Sequence, residues 1–330
     1  YMQSSIIGWC RWAIICLLLV SFEVSGAHIQ VQSTPLHMFP ADSEVRTVQS
    51  IRWLSGFHLT SQDRRFGGIS GLEWYRGKLL AVSDRGFFII LHPRFRPDGV
   101  CRGVASGEIY PLRSASGGML SGRIADAEEL IAHPDGSLWV TFEQAHRLLR
   151  YRQTSGSRFD MKALRATELP SLPALSQSPA NGGIEAATWH PTYGLLAIRE
   201  HELSSSSFHP TWIRSQTTAI QVQYQGTPPY RPTGMTCMAN GDVVTVERHY
   251  APESGPISRI VRIPRSAWNK PQTPVTGREL GRFEHPMTRD NFEAIVAAPL
   301  QNGGPAVLIA SDDNYAAHQR TLLIHLALSP

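Results

Sequence analysis

The sequence predicts an all-β chain folded as a β-propeller, and two observations lead to that prediction. The first is a hairpin pattern that occurs five times in the 330 residues: an apolar run, a turn with glycine, and a second apolar run that ends in an acid. The second is the spacing, since successive copies begin 48 to 60 residues apart. That period slightly exceeds the length of one four-stranded propeller blade, as expected if the loops are extended.

The first copy, GISGLEWYRGKLLAVSDRG, covers residues 68–86 and predicts a tight hairpin. Its turn is expected at Arg76-Gly77, because glycine adopts the positive φ angle that a short turn requires. The returning strand ends on Asp84, directly before Arg85. An acid and a base at one strand end are usually just solvated, so their meaning depends on the other copies.

Four further stretches share this pattern and predict four further hairpins. They are DAEELIAHPDGSLWVTFEQ (126–144), GIEAATWHPTYGLLAIREH (183–201), RPTGMTCMANGDVVTVERH (231–249) and NFEAIVAAPLQNGGPAVLIASDDN (291–314). The run ADAEELIA (125–132) contains good helix formers, but its counterparts GGIEAATW and DNFEAIVA lie beside proline and β-branched residues. A strand is therefore favoured at all five positions.

Aligning the copies on their turns gives two columns of polar side chains. The first column, where the leading strand begins, holds Ser70, Glu128, Glu185, Thr233 and Glu293. The second column, where the returning strand ends, holds Asp84, Glu143, Glu200, Glu247 and Asp312. Five acids at five equivalent positions indicate a shared structural or chemical role.

The number of blades follows from the copies and from what remains at the two ends. Strands are also expected within 45–59 and 321–328, outside the five copies. Together these segments suggest a propeller of six blades, the last one closed by pairing of the N-terminal and C-terminal strands. Such pairing would remove exposed sheet edges.

The columns are expected to meet at one mouth of a central channel. In a propeller the innermost strand of each blade lines the channel and the next strand runs back antiparallel to it. The start of the first strand and the end of the second then share a face. Many carboxylates gathered there would resist ionising together, so a positive charge should compensate them.

A hard divalent cation is the first expected source of that charge. All-oxygen ligands are those that Ca²⁺ prefers, six to eight at a time. The expected metal ligands are Asp126, Glu128, Glu185, Asn291, Glu293 and Asp312.

Basic residues next to the second column are the other source. Arg85, His201 and Arg248 are expected to bind an anionic small-molecule substrate, since arginine grips phosphate or carboxylate with two N–H groups. Glu185, Glu200 and His249 are the candidate catalytic residues. The alternative is that the column acids only accept hydrogen bonds from the next blade and fix the spacing of the blades. Three acids off the columns are expected to be surface charges, namely Glu73, Glu129 and Glu202.

Composition narrows the class of protein. Hydrophobic residues form 42% of the chain and charged residues 18%, which is typical of a globular protein with a large core. The net charge of +4 is scattered, whereas a nucleic-acid partner would need clustered basic residues. No nucleic-acid partner is therefore expected.

Residues 1–27 have the features of a secretory signal peptide. A basic residue precedes the apolar stretch 12–20, and Val24-Ser25-Gly26-Ala27 supplies the small residues of a cleavage site. The apolar stretch is shorter than the ~20 residues needed to span a bilayer, so no stable membrane anchor is expected after cleavage. The remaining 28–330 would form a single secreted or periplasmic domain. Its two cysteines, Cys101 and Cys237, could pair in an oxidising compartment, but unpaired thiols are favoured.

Taken in order, these stretches resemble the phytase-like family described as having esterase-like activity of phytase. The resemblance covers roughly 66–328 and rests on GISGLEW…AVSDRG, DAEELIAHPDGSLWVTFEQ, GGIEAATWHP…AIREHE, VVTVERHY and DNFEAIV…IASDDN. It implies a secreted or periplasmic propeller-like domain that acts on phosphoesters.

Three functions remain open from the sequence. The leading hypothesis is an exported hydrolase of phosphoesters that depends on a divalent metal, with Ca²⁺ expected. A second is a sugar lactonase, because such propellers also hold a metal with Glu, Asn and Asp side chains near the axis. The third is a non-catalytic binding module in which Ca²⁺ only ties the blades together.

Overall fold

The structure is a computed structural model that describes residues 26–154, 159–201, 207–215, 218–270 and 272–329. Most of the predicted signal segment and Glu202, a predicted surface charge, lie outside these ranges. Within these ranges no helix combines the length and the hydropathy that crossing a membrane requires.

Four strands open the described chain and are divided between two sheets. They are β1 (Ala27–Gln30), β2 (Gln32–Pro35), β3 (Thr47–Val48) and β4 (Ile51–Thr60). Strand β1 joins the first blade, whereas β2, β3 and β4 join the last one. The first and last blades are thereby built from distant parts of the chain.

Blade 1 is the hairpin of the first motif, extended outward. From the channel outward its strands are β5 (Ile69–Tyr75), β6 (Lys78–Ser83), β7 (Phe87–Phe95) and β8 (Cys101–Pro111), and β1 pairs antiparallel with β8. Arg76 and Gly77 have φ angles of 51° and 75°, the left-handed conformation that a two-residue hairpin loop needs. The turn predicted at Arg76-Gly77 is confirmed.

Blades 2 and 3 repeat this order with four strands each. Blade 2 holds β9 (Ala127–Ala132), β10 (Leu138–Phe142), β11 (Arg147–Gln153) and β12 (Leu164–Glu168). Blade 3 holds β13 (Ile184–His190), β14 (Gly194–Arg199), β15 (Phe208–Arg214) and β16 (Ala219–Gln225). Short 3₁₀ turns occupy Gly122–Ile124, Met161–Ala163 and Leu175–Gln177. The helix formers of ADAEELIA lie in β9, because Leu130 and Ile131 pack into two different interfaces between blades.

Blades 4 and 5 complete the ring. Blade 4 holds β17 (Arg231–Cys237), β18 (Val243–Ala251), β19 (Gly255–Ile263) and β20 (Arg278–Phe283), with a 3₁₀ turn at Arg265–Asn269. Blade 5 holds β21 (Phe292–Ala297), β22 (Ala306–Ser311) and β23 (Leu322–Leu328), followed by β4 and β2. Strand β23 pairs antiparallel with β4, from Leu322 opposite His58 to Leu328 opposite Ile51.

The described residues thus form five blades, and the prediction of six blades was wrong. The extra strands at the two ends were expected to form a blade of their own. Instead β4 and β23 both belong to blade 5, which has only the short hairpin β21–β22 from its own motif copy. The inner strands β5, β9, β13, β17 and β21 contact one another in that order, and β21 also contacts β5. The all-β propeller is confirmed.

The core is divided into layers between blades. Five clusters of buried apolar residues are found among the described residues, one at each interface between neighbouring blades. The inner strands approach closely: a Cβ atom on Gly71 would lie 2.8 Å from the Leu130 nitrogen, and one on Gly234 would lie 2.0 Å from the Glu293 carbonyl oxygen. Side chains larger than hydrogen at these two positions would force the blades apart.

A buried carboxyl group lies between the inner strands that line the channel. Glu129 is 1% exposed, so the prediction that it is a surface charge was wrong. Its carboxyl group accepts N–H groups from Leu130 (3.0 Å), Ala187 (3.5 Å) and Met235 (3.4 Å), which belong to blades 2, 3 and 4. Burial raises the pKa of Glu129 well above its ordinary value. Glu129 therefore joins three inner strands around the axis.

The two cysteines of the described residues, Cys101 and Cys237, are unpaired, as favoured from the sequence. Cys101 is buried in β8 of blade 1, and Cys237 ends β17 of blade 4. No disulfide therefore links the blades within the described residues.

Candidate metal and anion site

The starts of the inner strands and the ends of the second strands meet at one mouth of the channel. Acids from four blades lie there close enough to shift one another's pKa. We call these eight residues the acidic ring: Asp84, Asp126, Glu128, Glu143, Glu185, Glu200, Glu293 and Asp312. The ring contains five of the six predicted metal ligands, and the sixth, Asn291, donates its Nδ2–H to Glu293 Oε1 at 2.9 Å.

A β-bulge turns the first-column side chains toward this mouth. In all five motif hairpins the pairing register shifts near the start of the inner strand. The residues left without a directly opposed partner include Ser70, Glu185, Thr233 and Glu293, and in blade 2 the pair Glu128-Glu129. A bulge adds a residue on one strand and re-aims its side chain. In blade 2 it sends Glu128 to the mouth and Glu129 into the channel.

One half of the ring carries its carboxylates in two close groups. Oxygen atoms of Asp126, Glu128 and Glu143 lie within 4.8 Å of one another, and so do those of Glu143, Glu185 and Glu200. We call Asp126, Glu128, Glu143 and Glu185 the acidic arc. Burial and then Asp126 raise the pKa of Glu128 well above its ordinary value, while burial, Glu200 and Asp126 raise that of Glu143 to about 7.

Glu185 is a buried acid of the ring that lacks a partner in the described chain. It is 8% exposed, and its carboxylate accepts no hydrogen bond and joins no ion pair within the described residues. Every other buried acid of the described chain has at least one donor or cation in contact. Burial, together with Glu200 and Glu128, raises the pKa of Glu185 well above its ordinary value. A buried carboxylate without a partner is costly, so this position is suited to a bound cation.

The other half of the ring contains basic side chains. Arg248 places Nη2 3.2 Å from Glu293 Oε1 and 3.7 Å from Glu200 Oε1. His201 Nδ1 lies 2.9 Å from Glu200 Oε2, and Arg231 Nη1 lies 3.3 Å from His201 Nε2. We call His201, Arg231 and Arg248 the basic arc. Burial alone would raise the pKa of Glu200, but His201 and Arg248 outweigh it and lower that pKa.

The second column is interrupted in blade 4, which explains why Arg248 reaches the mouth. Glu247 is fully buried and bonds Arg259 through Oε2, at 2.8 Å from Nε, and the Tyr224 hydroxyl through Oε1. Successive strand residues point to opposite faces, so Arg248 points the other way. Glu247 thus has a structural role, and the next residue supplies the cation.

Asp84 and Asp312 complete the ring on blades 1 and 5. Burial, then Asp126 and Glu293, raise the pKa of Asp84 to about 7, and its Oδ1 is buried without a hydrogen-bond partner in the described chain. Burial, then Glu293 and Asp84, raise the pKa of Asp312 to about 9. Arg85 is exposed, with its guanidinium 3.4 Å above the ring of Tyr315.

Two of the predicted site residues, Arg85 and His249, make none of the close contacts of the acidic ring. Arg85 makes no direct contact with the acidic ring within the described residues. Its positive charge lies near Asp84 and acts to lower the pKa of that residue. His249 shares the face of Glu247, and its imidazole lies 6.0 Å from the ring of Tyr230, with no contact to the acidic ring among the described residues.

The sequence also missed residues of the site. Glu143 stood in the second column but was not among the predicted ligands, although it belongs to both close groups. Arg231 follows no repeated pattern, so no signal in one sequence could have identified it.

The opposite mouth of the channel is a pocket of about 220 Å³. Its polar side chains are paired across blades: Thr188 Oγ1 accepts the Cys237 N–H at 3.1 Å and Thr236 Oγ1 accepts the Ala297 N–H at 3.0 Å. Glu73 accepts the N–H groups of Trp74 (2.8 Å) and Ala132 (3.4 Å), and burial raises its pKa to about 7. Glu73 is therefore a partly buried member of this mouth and not a surface charge.

Comparison with known proteins gives likenesses to solved structures at low identity. A protein assigned as a gluconolactonase has a TM-score of 0.46 at 12% identity, covering 92% of this chain and 93% of that one. The PQQ-bound aldose sugar dehydrogenase from Streptomyces coelicolor has a TM-score of 0.45 at 12% identity, covering 91% and 99%. Virginiamycin B lyase from Staphylococcus aureus has a TM-score of 0.38 at 13% identity, covering 83% and 73%. None of these likenesses bears on the chemistry of this site.

No curated protein matches the sequence. A family model does: it is described as phytase-like, esterase-like activity of phytase, and it matches residues 64–315. That range covers more than half of the chain and contains every residue of the acidic ring and the basic arc. The chain therefore belongs to the phytase-like family.

Proposed function

We propose that this protein is a hydrolase of phosphoesters that depends on a divalent cation and acts in the periplasm or outside the cell. The observation that carries the proposal is Glu185, a buried carboxylate without a donor, set between Glu128 and Glu200 in a ring of acids. Membership of the phytase-like family supports the choice of phosphoesters.

The residues of the acidic arc fit a hard cation. All four offer carboxylate oxygens, and two groups of three approach within 4.8 Å. Oxygen-only ligands are typical of Ca²⁺, whereas Zn²⁺ sites in proteins use mainly His and Cys. Because Arg248 already compensates Glu200 and Glu293, the uncompensated charge lies on the acidic arc. Cation binding is therefore assigned to the acidic arc, whereas Asn291, Glu293 and Asp312 belong to the half of the ring that faces Arg248.

The basic arc is placed to bind the anionic group of the substrate. Arg248 Nε is buried without a hydrogen-bond partner among the described residues, so one donor is available to a ligand. Glu200 holds Arg248 and His201 in position through contacts of 3.7 and 2.9 Å. A divalent cation in the acidic arc would act as a Lewis acid on a phosphoryl oxygen and lower the pKa of water.

Asp84 is the residue suited to give a proton to the leaving oxygen. Its pKa of about 7 keeps it partly protonated at neutral pH, and its Oδ1 has no competing partner in the described chain. A general acid works best when its pKa lies near the working pH. Asp84→Asn should therefore remove the basic limb of the pH profile of kcat, while metal binding persists.

The test uses purified protein treated with EDTA and then supplied with Ca²⁺, Mn²⁺ or Mg²⁺. Phosphomonoesters and phosphodiesters should be hydrolysed only after a metal is returned. Glu185→Gln should lower kcat/KM by about 100-fold or more. Asp98→Asn is the matched control, because Asp98 is an exposed acid that pairs with Arg96 outside the site. Unchanged hydrolysis in EDTA would refute the proposal.

The same experiment separates the other two functions. Turnover of sugar lactones without turnover of phosphoesters would identify a lactonase. If Ca²⁺ raises the melting temperature but neither class of substrate reacts, the cation only stabilises the blades and the protein is a binding module.

A further inference from the structure

Glu143 is shared by the two close groups of carboxylates. It lies within 4.8 Å of Asp126 and Glu128 on one side and of Glu185 and Glu200 on the other. We propose that the mouth holds two divalent cations, with Glu143 as the carboxylate that bridges them. This inference rests on the proposed function, because it assumes that the cations bind at that same mouth.

The position of Glu143 in the fold suits a bridge. It follows β10 of blade 2, and its Oε1 accepts the N–H of Gly183, which precedes β13 of blade 3, at 3.0 Å. This bond fixes the side chain at the seam between the two blades. The carboxylates on its two sides then come from different blades, Asp126 and Glu128 from blade 2 and Glu185 and Glu200 from blade 3.

Glu185 is an independent sign of a missing ligand. It belongs only to the second group, is 8% exposed, and accepts no hydrogen bond within the described residues. A cation bound only by Asp126, Glu128 and Glu143 would leave this buried carboxylate unpaired. A second cation between Glu143, Glu185 and Glu200 would remove that cost.

The number of negative charges at the site matches the charge of two divalent ions. The four carboxylates of the acidic arc carry four negative charges when ionised, and the nearest protein cation, Arg248, contacts Glu200 and Glu293 instead. One divalent ion would neutralise half of the arc, whereas two would neutralise all of it. Sites with two metals about 3.5–4 Å apart occur in phosphatases and nucleases, where the ions act on attacking and leaving oxygens. A phosphoester is thus the substrate class that such a pair would serve.

The test counts ions by isothermal titration calorimetry, with Ca²⁺ alone as the probe and protein stripped with EDTA. The wild type should bind two Ca²⁺ ions. Glu128→Gln and Glu185→Gln, each of which alters one group, should each bind one ion tightly. Glu143→Gln should weaken both ions by about 10-fold or more. Asp98→Asn, away from the site, should still bind two.

A second measurement does not depend on affinity. Mn²⁺ bound at both positions should give an electron paramagnetic resonance spectrum broadened by coupling between neighbouring ions, and Glu128→Gln should give the spectrum of an isolated ion. If Glu143→Gln does not fold, as judged by circular dichroism, Glu143→Asp replaces it. The shorter side chain cannot reach both ions, so the coupling should disappear.

The outcomes separate this inference from the proposed function. One Ca²⁺ per wild-type chain with metal-dependent hydrolysis would overturn the bridge and leave the hydrolase standing. No bound ion would overturn both. Two ions without hydrolysis would support the bridge and count against the hydrolase. If Glu143→Gln binds one of the two ions with the affinity of the wild type, the bridging role of Glu143 would also be refuted.

Discussion

The two mouths of the channel are formed by the same inner strands, yet they treat polar side chains in opposite ways. At the pocket mouth, Thr188 and Thr236 each accept a backbone N–H from the next blade. At the acidic mouth, Glu185 accepts none from the described residues and Asp84 keeps a buried oxygen unpaired. Thr188 and Thr236 at the first mouth hold the blades together, whereas Glu185 and Asp84 at the second mouth have no such partner within the described residues.

The largest loss of stability is expected from a change at Glu247, the second-column acid whose two carboxylate oxygens are both paired. Glu247→Gln leaves the Arg259 guanidinium buried with weaker compensation, since Glu279 is 3.5 Å away. Breaking one partner of a buried ion pair costs about 3–5 kcal/mol, and the free energy of unfolding should fall by about 3 kcal/mol. Urea denaturation measures the change. Glu253→Gln is the control, because Glu253 is exposed in the loop after the same strand. A loss below about 1 kcal/mol would mean that Glu247 is not structural.

The pocket mouth should show a pH dependence through Glu73. Its pKa is about 7 in the folded protein and 4.5 in the unfolded chain, so the folded state binds the proton more tightly. The stability from this group is complete below pH 4.5 and is lost as the pH rises to about 7. The wild type should lose about 3 kcal/mol more than Glu73→Gln between pH 4.5 and pH 8. Denaturation in EDTA at both pH values measures this, and parallel curves would contradict it.

A somewhat smaller loss is expected when a bond between blades is removed at the pocket mouth. Thr236→Val keeps the shape of the side chain but leaves the Ala297 N–H without its acceptor. An unsatisfied buried donor costs about 1–3 kcal/mol, so unfolding should become easier by about 1–2 kcal/mol. Thr236→Ser retains the hydroxyl and is the matched control. Equal stability of Thr236→Val and Thr236→Ser would show that the bond contributes nothing.

The smallest change in the free energy of unfolding should be an increase, in contrast to the losses above. At the acidic mouth, Glu185→Gln removes a buried charge and its repulsion with Glu200 and Glu128. In EDTA at pH 8 the variant should therefore be more stable than the wild type, by about 1 kcal/mol. Adding Ca²⁺ should reverse the order, because only the wild type keeps all its ligands. Destabilisation in EDTA would show that Glu185 has a structural partner and would weaken the contrast between the mouths.

The sequence predicted the ring and the gathering of acids because both follow from a repeat. A strand that begins or ends at the same step of each copy must arrive at the same mouth, so Glu128, Glu185 and Glu293 could be placed together. The number of blades could not be predicted in this way. Repeat counting cannot tell whether β4 and β23 form their own sheet or complete another.

The direction in which side chains point was the other feature that could not be predicted from the sequence. Alternation along a strand would place Glu129 opposite Glu128, but only the bulge at this position shows that one faces the mouth and the other the channel. Likewise, Glu247 fills the second column in the sequence, yet Arg259 and Tyr224 hold it away from the mouth and Arg248 takes its place. These partners are distant in sequence, so no local pattern could identify them.

The composite blade has a consequence for how the protein matures. Strand β4 lies near the start of the described residues and β23 near their end, and blade 5 needs both. Until the last strand arrives, the early one has no neighbour on that side, and Glu293 and Asp312 cannot be fixed against Arg248. Ion binding at the acidic mouth, as proposed above, would therefore require both of these distant strands to be in place.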